Sequence, residues 1–139
     1  MKQGRSISFY IEIVLMLAVS VLAITVLANA FSRAKLHSRN AGRLSDAVTL
    51  AASGAECFLA SGDIEELTAT LNEAGNASQE GSSVIASYDA DLRPKAEGNV
   101  RMVIDWDEQG SFVNALITVY FDNEEIYSIE TGLARGAKR

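Results

Sequence analysis

The feature that most constrains this 139-residue chain is an uninterrupted apolar run near its N-terminus. Residues 9–31, FYIEIVLMLAVSVLAITVLANAF, contain one charged side chain, that of Glu12. A helix of this length extends about 34 Å, which is enough to cross the hydrocarbon core of a bilayer. The run therefore predicts a transmembrane helix, and a lipid bilayer is its expected partner.

The same run also fits a cleaved secretory signal peptide. Lys2 and Arg5 would form its basic region, and Ala28-Asn29-Ala30 would be a small-x-small cleavage site. Four basic residues follow within the segment FSRAKLHSRNAGR, and positive charge just beyond a cleavage site opposes export. We therefore favour a retained span, and keep a small secreted domain released after Ala30 as an alternative.

Charge is distributed unevenly along the chain. Residues 1–43 carry a net charge of +5, and residues 44–139 carry −11. Nucleic acid is not an expected partner, because its phosphates would repel so acidic a domain. Four basic residues follow the span and two precede it, so the positive-inside rule by itself would place the C-terminal domain in the cytoplasm.

The chain has few residues that could carry out chemistry. One cysteine and one histidine exclude an intrachain disulfide and the structural zinc sites that need four such ligands. The sequence contains no nucleophile elbow, no phosphate-binding glycine loop and no Cys/His pair with usable spacing. We expect no enzyme activity, no cofactor, no metal and no small-molecule substrate.

The predicted helix continues beyond the apolar run. Nothing stops a helix before Ser61-Gly62, which predicts an amphipathic continuation over residues 32–61. Its apolar positions recur in alternating steps of four and three, which is typical of one buried helix face. We expect this face to pack on a sheet, and Arg43 to point toward solvent. The predicted packing residues are Leu44, Val48, Ala51, Ala55 and Phe58.

After Gly62 the pattern changes from helix to sheet. A short helix is expected to begin at residues 63–67 and end near Gly75, and residues 75–83 have the composition of a loop. Alternating apolar residues then predict four strands, at 84–89, 100–107, 112–122 and 126–133. Since the last two connections are short, we expect an antiparallel meander.

These elements predict an α+β chain in which the helix covers one face of the sheet. The expected organisation is a short basic N-terminus (1–8), a transmembrane helix (9–31), its amphipathic continuation (32–61), a small head with an antiparallel sheet (62–133) and a polar tail (134–139).

This arrangement resembles the type IV pilin and pseudopilin family. The resemblance is specific in sequence only around SFYIEIVLMLAV, residues 8–19, where a cut before Ser8 would make Glu12 the fifth residue, as in that family. It implies a bacterial structural subunit of a surface filament (a type IV pilus) or a type II secretion apparatus. The resemblance also implies a single-pass membrane location with an extracytoplasmic C-terminal domain, the opposite of the orientation that charge alone favours.

The sequence departs from the family pattern in two respects. Ile7 would precede the cut where the family has glycine, and Gly4, the only nearby glycine, is out of register by three residues. The processing motif is therefore defective. The C-terminal disulfide of many family members is also absent.

Glu12 is the main candidate for an assembly residue. A charge in the centre of a span costs up to about 2.5 to 3.5 kcal/mol on insertion scales, and less near the interface. Two hypotheses remain open: Glu12 pairs with a positive group of a neighbouring subunit or assembly platform, or it reaches the headgroups with Arg5 as its partner. Ala18, Ser20 and Ala23 are small enough to permit close helix contact.

Two further functions compete with the structural subunit. The chain could be a single-pass binding or sensory module whose acidic domain recognises a protein or a cation, or it could be the secreted domain.

Three local motifs are expected to be structural rather than functional. The segment 105–110 is expected to be a polar hairpin tip rather than a calcium loop, Cys57 a buried structural thiol, and Asn76-Ala77-Ser78 a sequon without a function.

Overall fold

The chain has an α+β fold. The computed structural model describes the backbone of residues 2–135 and the side chains of residues 4–135. Part of the expected basic N-terminus (1–8) and part of the expected polar tail (134–139) therefore lie outside the described residues. The elements are α1 (Lys2–Ala60), α2 (Ile64–Leu71), β1 (Ala77–Glu80), β2 (Ser83–Tyr88), β3 (Val100–Gln109), β4 (Phe112–Phe121) and β5 (Glu124–Ala134).

The strands form one antiparallel sheet in the order β1-β2-β3-β4-β5. The meander is confirmed, but it has five strands and not the predicted four. The additional strand, β1, lies in residues 75–83, which were expected to be a loop. Its residues ASQE show no alternation of apolar side chains, because three of the four are exposed and only Ala77 is half-buried. Backbone pairing with β2 forms this strand, so no hydrophobic pattern marks it.

Tight turns fix the register of the hairpins. Gly110 connects β3 to β4 with φ +64°, and Gly81 connects β1 to β2 with φ +63°; glycine adopts this left-handed conformation without steric cost. Asp122 and Asn123 connect β4 to β5 with φ +51° and +66°, the pair of positive angles that a type I′ turn requires.

The helices end at clear sequence signals. α1 ends at Ala60, next to the predicted stop at Ser61-Gly62. Asp63 caps α2 by accepting a hydrogen bond from the Glu66 backbone N–H (2.8 Å), and the Glu66 carboxylate accepts one from the Gly62 N–H (2.7 Å). These two bonds resemble a capping box, with the Glu66 side chain reaching the residue before the N-cap, and they explain why a helix starts there. α2 ends at Leu71, one turn earlier than expected, where the Asn72 N–H donates to the Thr68 carbonyl.

Internal contacts divide the chain into two compact units, and the division falls inside α1, between Ala41 and Gly42. The described residues of the first unit are all helical. The second unit, called the head below, begins at Gly42 and includes the last nineteen residues of α1 together with α2 and the sheet. Helical residues are therefore part of the folded core of the head.

The core of the head lies between one face of the sheet and the two helices, with Leu67 of α2 fully buried in it. α1 contributes its buried residues Ala47, Leu50, Ala51 and Phe58. The sheet contributes the inward positions of three strands: Val84 and Ala86 of β2, Val100, Met102, Ile104 and Trp106 of β3, and Val113, Ala115, Ile117, Val119 and Phe121 of β4. Phe58 packs edge-on against Trp106, with ring centroids 5.1 Å apart.

The buried face of α1 differs from the predicted one by a rotation of the helix. Ala51 and Phe58 are buried and Ala55 is half-buried, but Leu44 and Val48 are 46% and 40% exposed. The buried line instead passes through Ala47, Leu50 and Gly54. A search for large apolar residues misses this line, because two of these three residues are small.

Gly54 explains why small residues lie on the buried line. A Cβ atom at this position would stand 2.6 Å from Met102 Sδ and 3.5 Å from the Ile104 side chain. The ends of the Met102 and Ile104 side chains of β3 therefore reach the helix at Gly54, and a side chain at position 54 would have to displace the buried Met102 side chain.

Gly54→Val should destabilise the head by about 1 to 3 kcal/mol, because overpacking a core costs more than the gain in helix propensity over glycine. The same substitution at Gly42, where nothing lies within 4 Å of an added Cβ, is the matched control and should leave stability unchanged or slightly higher. Urea unfolding of the full chain in detergent, followed by Trp106 fluorescence, measures both. Equal effects of the two substitutions would contradict the close contact.

Candidate functional site

The exposed surface of the first unit is the most unusual feature of the chain. Every large apolar side chain from Ile7 to Phe31 is at least 42% exposed, and none is buried by another part of the chain. α1 is long and apolar enough to cross a membrane. An exposed apolar surface of this extent is unfavourable in water, so it requires lipid or other helices around it.

Two hydroxyl groups within this surface are hydrogen-bonded to the helix itself. Ser20 Oγ donates to the Met16 carbonyl and Thr25 Oγ1 to the Val21 carbonyl, both at 2.8 Å. Such bonds satisfy a hydroxyl group without water, as a lipid environment demands. Glu12 is different, because it is exposed and forms no salt bridge or side-chain hydrogen bond among the described residues.

The helix places the candidate assembly residues on two faces. Glu12 shares a shallow apolar surface with Phe9, Met16 and Ser20. Ala23 follows Glu12 by eleven residues, about three helical turns, and so falls on the same face. Ala18 lies on another face, which it shares with Tyr10, Ile11, Val14 and Leu15. The predicted set is thus brought together except for Ala18.

Arg5 precedes Glu12 by seven residues, which places it on the same face about two turns away. Within the described part of the chain the two side chains form no ion pair. Both hypotheses for the partner of Glu12 therefore stay predictions.

Polar contacts join α1 to the sheet at one end of the head and the loop after α1 to the sheet at the other, and sequence reasoning did not find them. Arg43, expected toward solvent, lies 3.5 Å from the Asp122 carboxylate, and its guanidinium carbon is 6.0 Å from the centre of the Phe121 ring. At the opposite end Arg135 donates to the Gly62 carbonyl (3.3 Å) and to Glu108 (3.1 Å). Both pairs join residues distant in sequence, so no local pattern reveals them.

The acidic segment 105–110 belongs to β3 and its turn. Asp105 accepts a hydrogen bond from Ser83, Asp107 accepts one from Gln109, and Glu108 accepts from the Trp106 indole N–H (3.0 Å) and from Arg135. These carboxylates are used in structural hydrogen bonds of a hairpin, as expected. Among the described residues no three Cys, His, Asp or Glu side chains gather into a possible metal site.

Asn76 is only 6% exposed, and its amide nitrogen donates to the Ser87 carbonyl at 2.9 Å. The glycosylation sequon is therefore inaccessible in the folded head. His37 is exposed on α1.

Cys57 is half-buried on α1 and packs against the core. Burial, together with the negative charges of Glu56 and Glu73, raises the pKa of its thiol above the ordinary value. The thiol is therefore protonated at neutral pH and is a poor nucleophile, which agrees with a structural role.

No family model, curated protein or solved structure matches this chain.

Cys57 should react with a maleimide more slowly in the folded head than in the denatured chain. The reaction rate of the folded head should still rise at a pH where the rate of the denatured chain has levelled off, because the pKa of the thiol is higher in the folded head. Ionisation of this thiol also links stability to pH. Below the ordinary thiol pKa it leaves the free energy of unfolding unchanged, and as the pH rises from that pKa to the higher pKa of the folded head it lowers the free energy of unfolding.

Mass spectrometry of modified protein over time measures both rates. Cys57→Ser is the unreactive control, and adding Ala52→Cys to that variant provides an exposed thiol on the same helix. Equal folded and denatured rates at Cys57 would contradict its protection.

Proposed function

We propose that this chain is a membrane-anchored structural subunit, similar to the type IV pilins and pseudopilins, that assembles through its N-terminal helix. One observation carries the proposal: α1 presents an exposed apolar surface from Ile7 to Phe31, and the last turns of the same helix complete the core of an antiparallel sheet. A helix whose first part anchors the chain and whose last part belongs to the core of the head suits a subunit that holds a folded domain in an assembly.

Assembly is attributed to the helix face that carries Glu12. Small residues at Ser20 and Ala23 let another helix approach closely, and helices in lipid associate through such packing and polar contacts. The Glu12 carboxylate, which has no partner within the described chain, would accept a positive group from a neighbouring subunit or an assembly platform. This contact would both remove the cost of a charge in lipid and set the register of the two helices.

The proposed location is the cell membrane, with one span and the head outside the cytoplasm. The orientation follows from the family resemblance, and the charges flanking the span favour the reverse. A secreted domain is the alternative with a specific structural basis: the head begins at Gly42, so cleavage after Ala30 would leave its core complete.

The N-terminus of the mature protein separates these functions. We expect a start at Met1 or Ser8, because the apolar run is proposed to anchor the chain. Intact mass measurement of the protein recovered from both the membrane fraction and the culture medium determines the start directly. A start at Phe31 would overturn the anchored subunit in favour of the secreted domain, and a start at Ser8 would further favour a processed pilin over a single-pass module.

Glu12→Gln should weaken association with partner subunits about five- to thirtyfold, the range expected for a polar contact between helices in lipid. Sedimentation and co-purification of complexes extracted in mild detergent measure this. Glu56→Gln removes the same charge from an exposed position on α1 in the head and should have no effect.

A second pair of substitutions tests which face of the helix is used. Ser20→Leu places a large side chain on the helix face that carries Glu12 and should disrupt the complexes. Ala18→Leu places the same side chain on another face and should not. Complexes that survive both Glu12→Gln and Ser20→Leu unchanged would contradict assembly through this face.

A further inference from the structure

Three cations follow the apolar run on α1 at close spacing. They are Arg33, Lys35 and Arg39, here called the basic segment, and all three side chains are exposed. Lys35 and Arg39 are about 200° and 240° around the helix from Arg33, so the charges do not form a single stripe. A partner that contacts only one helix face could not reach all of them.

The basic segment has no acidic partner within the described chain. No Asp or Glu occurs in the sequence between Glu12 and Asp46. The ion pairs of the described residues use two other arginines, Arg43 with Asp122 and Arg135 with Glu108. The three cations are therefore available to an external anion.

The position of the basic segment identifies the kind of anion. At 1.5 Å per residue, Arg33 lies about 3 Å beyond Phe31 along the helix, Lys35 about 6 Å and Arg39 about 12 Å. The headgroup layer on each side of a bilayer is roughly 5 to 8 Å thick, and a surface charge acts over a further ~8 Å at physiological ionic strength. A span that ends near Phe31 would place all three cations in or beside the lipid phosphates.

We propose that the basic segment binds the headgroups of anionic phospholipids in the leaflet where the span ends. This inference rests on the membrane anchoring proposed above. Cations distributed around a helix match a fluid layer of headgroups, which surrounds the helix on all sides. Each basic residue at an anionic membrane surface strengthens binding by about fivefold. The segment would therefore enrich anionic lipid around the subunit and help to fix the depth of the helix.

Electron paramagnetic resonance of spin-labelled lipids tests this with the full chain. The protein is reconstituted in phosphatidylcholine vesicles that contain traces of spin-labelled phosphatidylglycerol or spin-labelled phosphatidylcholine, and the motionally restricted fraction of each lipid is measured. We expect at least about a twofold preference for phosphatidylglycerol, and its loss in 1 M salt, where the screening length falls to about 3 Å.

Matched triple variants assign the preference to the basic segment. The test variant is Arg33→Gln/Lys35→Gln/Arg39→Gln, and the control, Arg43→Gln/Arg93→Gln/Lys95→Gln, removes the same charge from the head. The test variant should lose at least half of the preference, the remainder coming from Arg5 near the other end of the span. The control should retain all of it, with Trp106 fluorescence verifying that the head remains folded.

The outcomes separate this inference from the function on which it rests. Equal motionally restricted fractions of the two lipids would overturn lipid binding by the basic segment and leave the anchoring intact. A preference for phosphatidylglycerol that persists in the test variant would have the same consequence. The absence of restricted lipid of either kind would show that the chain does not enter the bilayer, and would overturn both.

Discussion

The contact between α1 and β3 is the interaction on which the head depends. The sheet has one apolar face, and a sheet of this kind is stable only when another layer removes that face from water. The last turns of α1 supply this layer, with Gly54 against Met102 and Phe58 against Trp106. Where the β3 side chains reach the helix, the buried position is glycine, and the exposed flank carries the large residues Leu44 and Val48.

The same helix presents two different surfaces along its length. Its first part has apolar side chains on all sides, and the Ser20 and Thr25 hydroxyl groups bond to the helix itself, which suits lipid. Its last part is apolar on one face only, which suits a protein core. The change in pattern coincides with the basic segment, and the head begins shortly afterwards at Gly42. Each part of the helix thus carries the residues that its own surroundings stabilise, and this supports an anchored subunit more directly than any single motif does.

Much of the fold could be predicted because its signals are local. The end of α1, the capping of α2 and four of the five strands follow from turn residues and periodicity. β1 could not be predicted, since its residues are polar and only pairing with β2 creates it. The rotation of the buried helix face was missed for a related reason: burial at Ala47 and Gly54 is decided by the distance to the sheet, which residue size in the sequence does not reveal. Of the candidate assembly residues, helical geometry separates Ala18 from Glu12 and Ser20, and the ion pairs of Arg43 and Arg135 depend on contacts between distant parts of the chain.

The order of the strands leaves an eleven-residue strand, β5, at the edge of the sheet. Long edge strands invite pairing with other chains, and charged side chains are a common protection against it. β5 carries Glu124, Glu125 and Glu130, all exposed, and the opposite edge, β1, is only four residues long. Repulsion between the glutamates of β5 and the short length of β1 both disfavour pairing of these edge strands with the sheets of other chains. A crowded array of such heads would consequently resist amyloid-like fusion, and ordered association would be left to the helices.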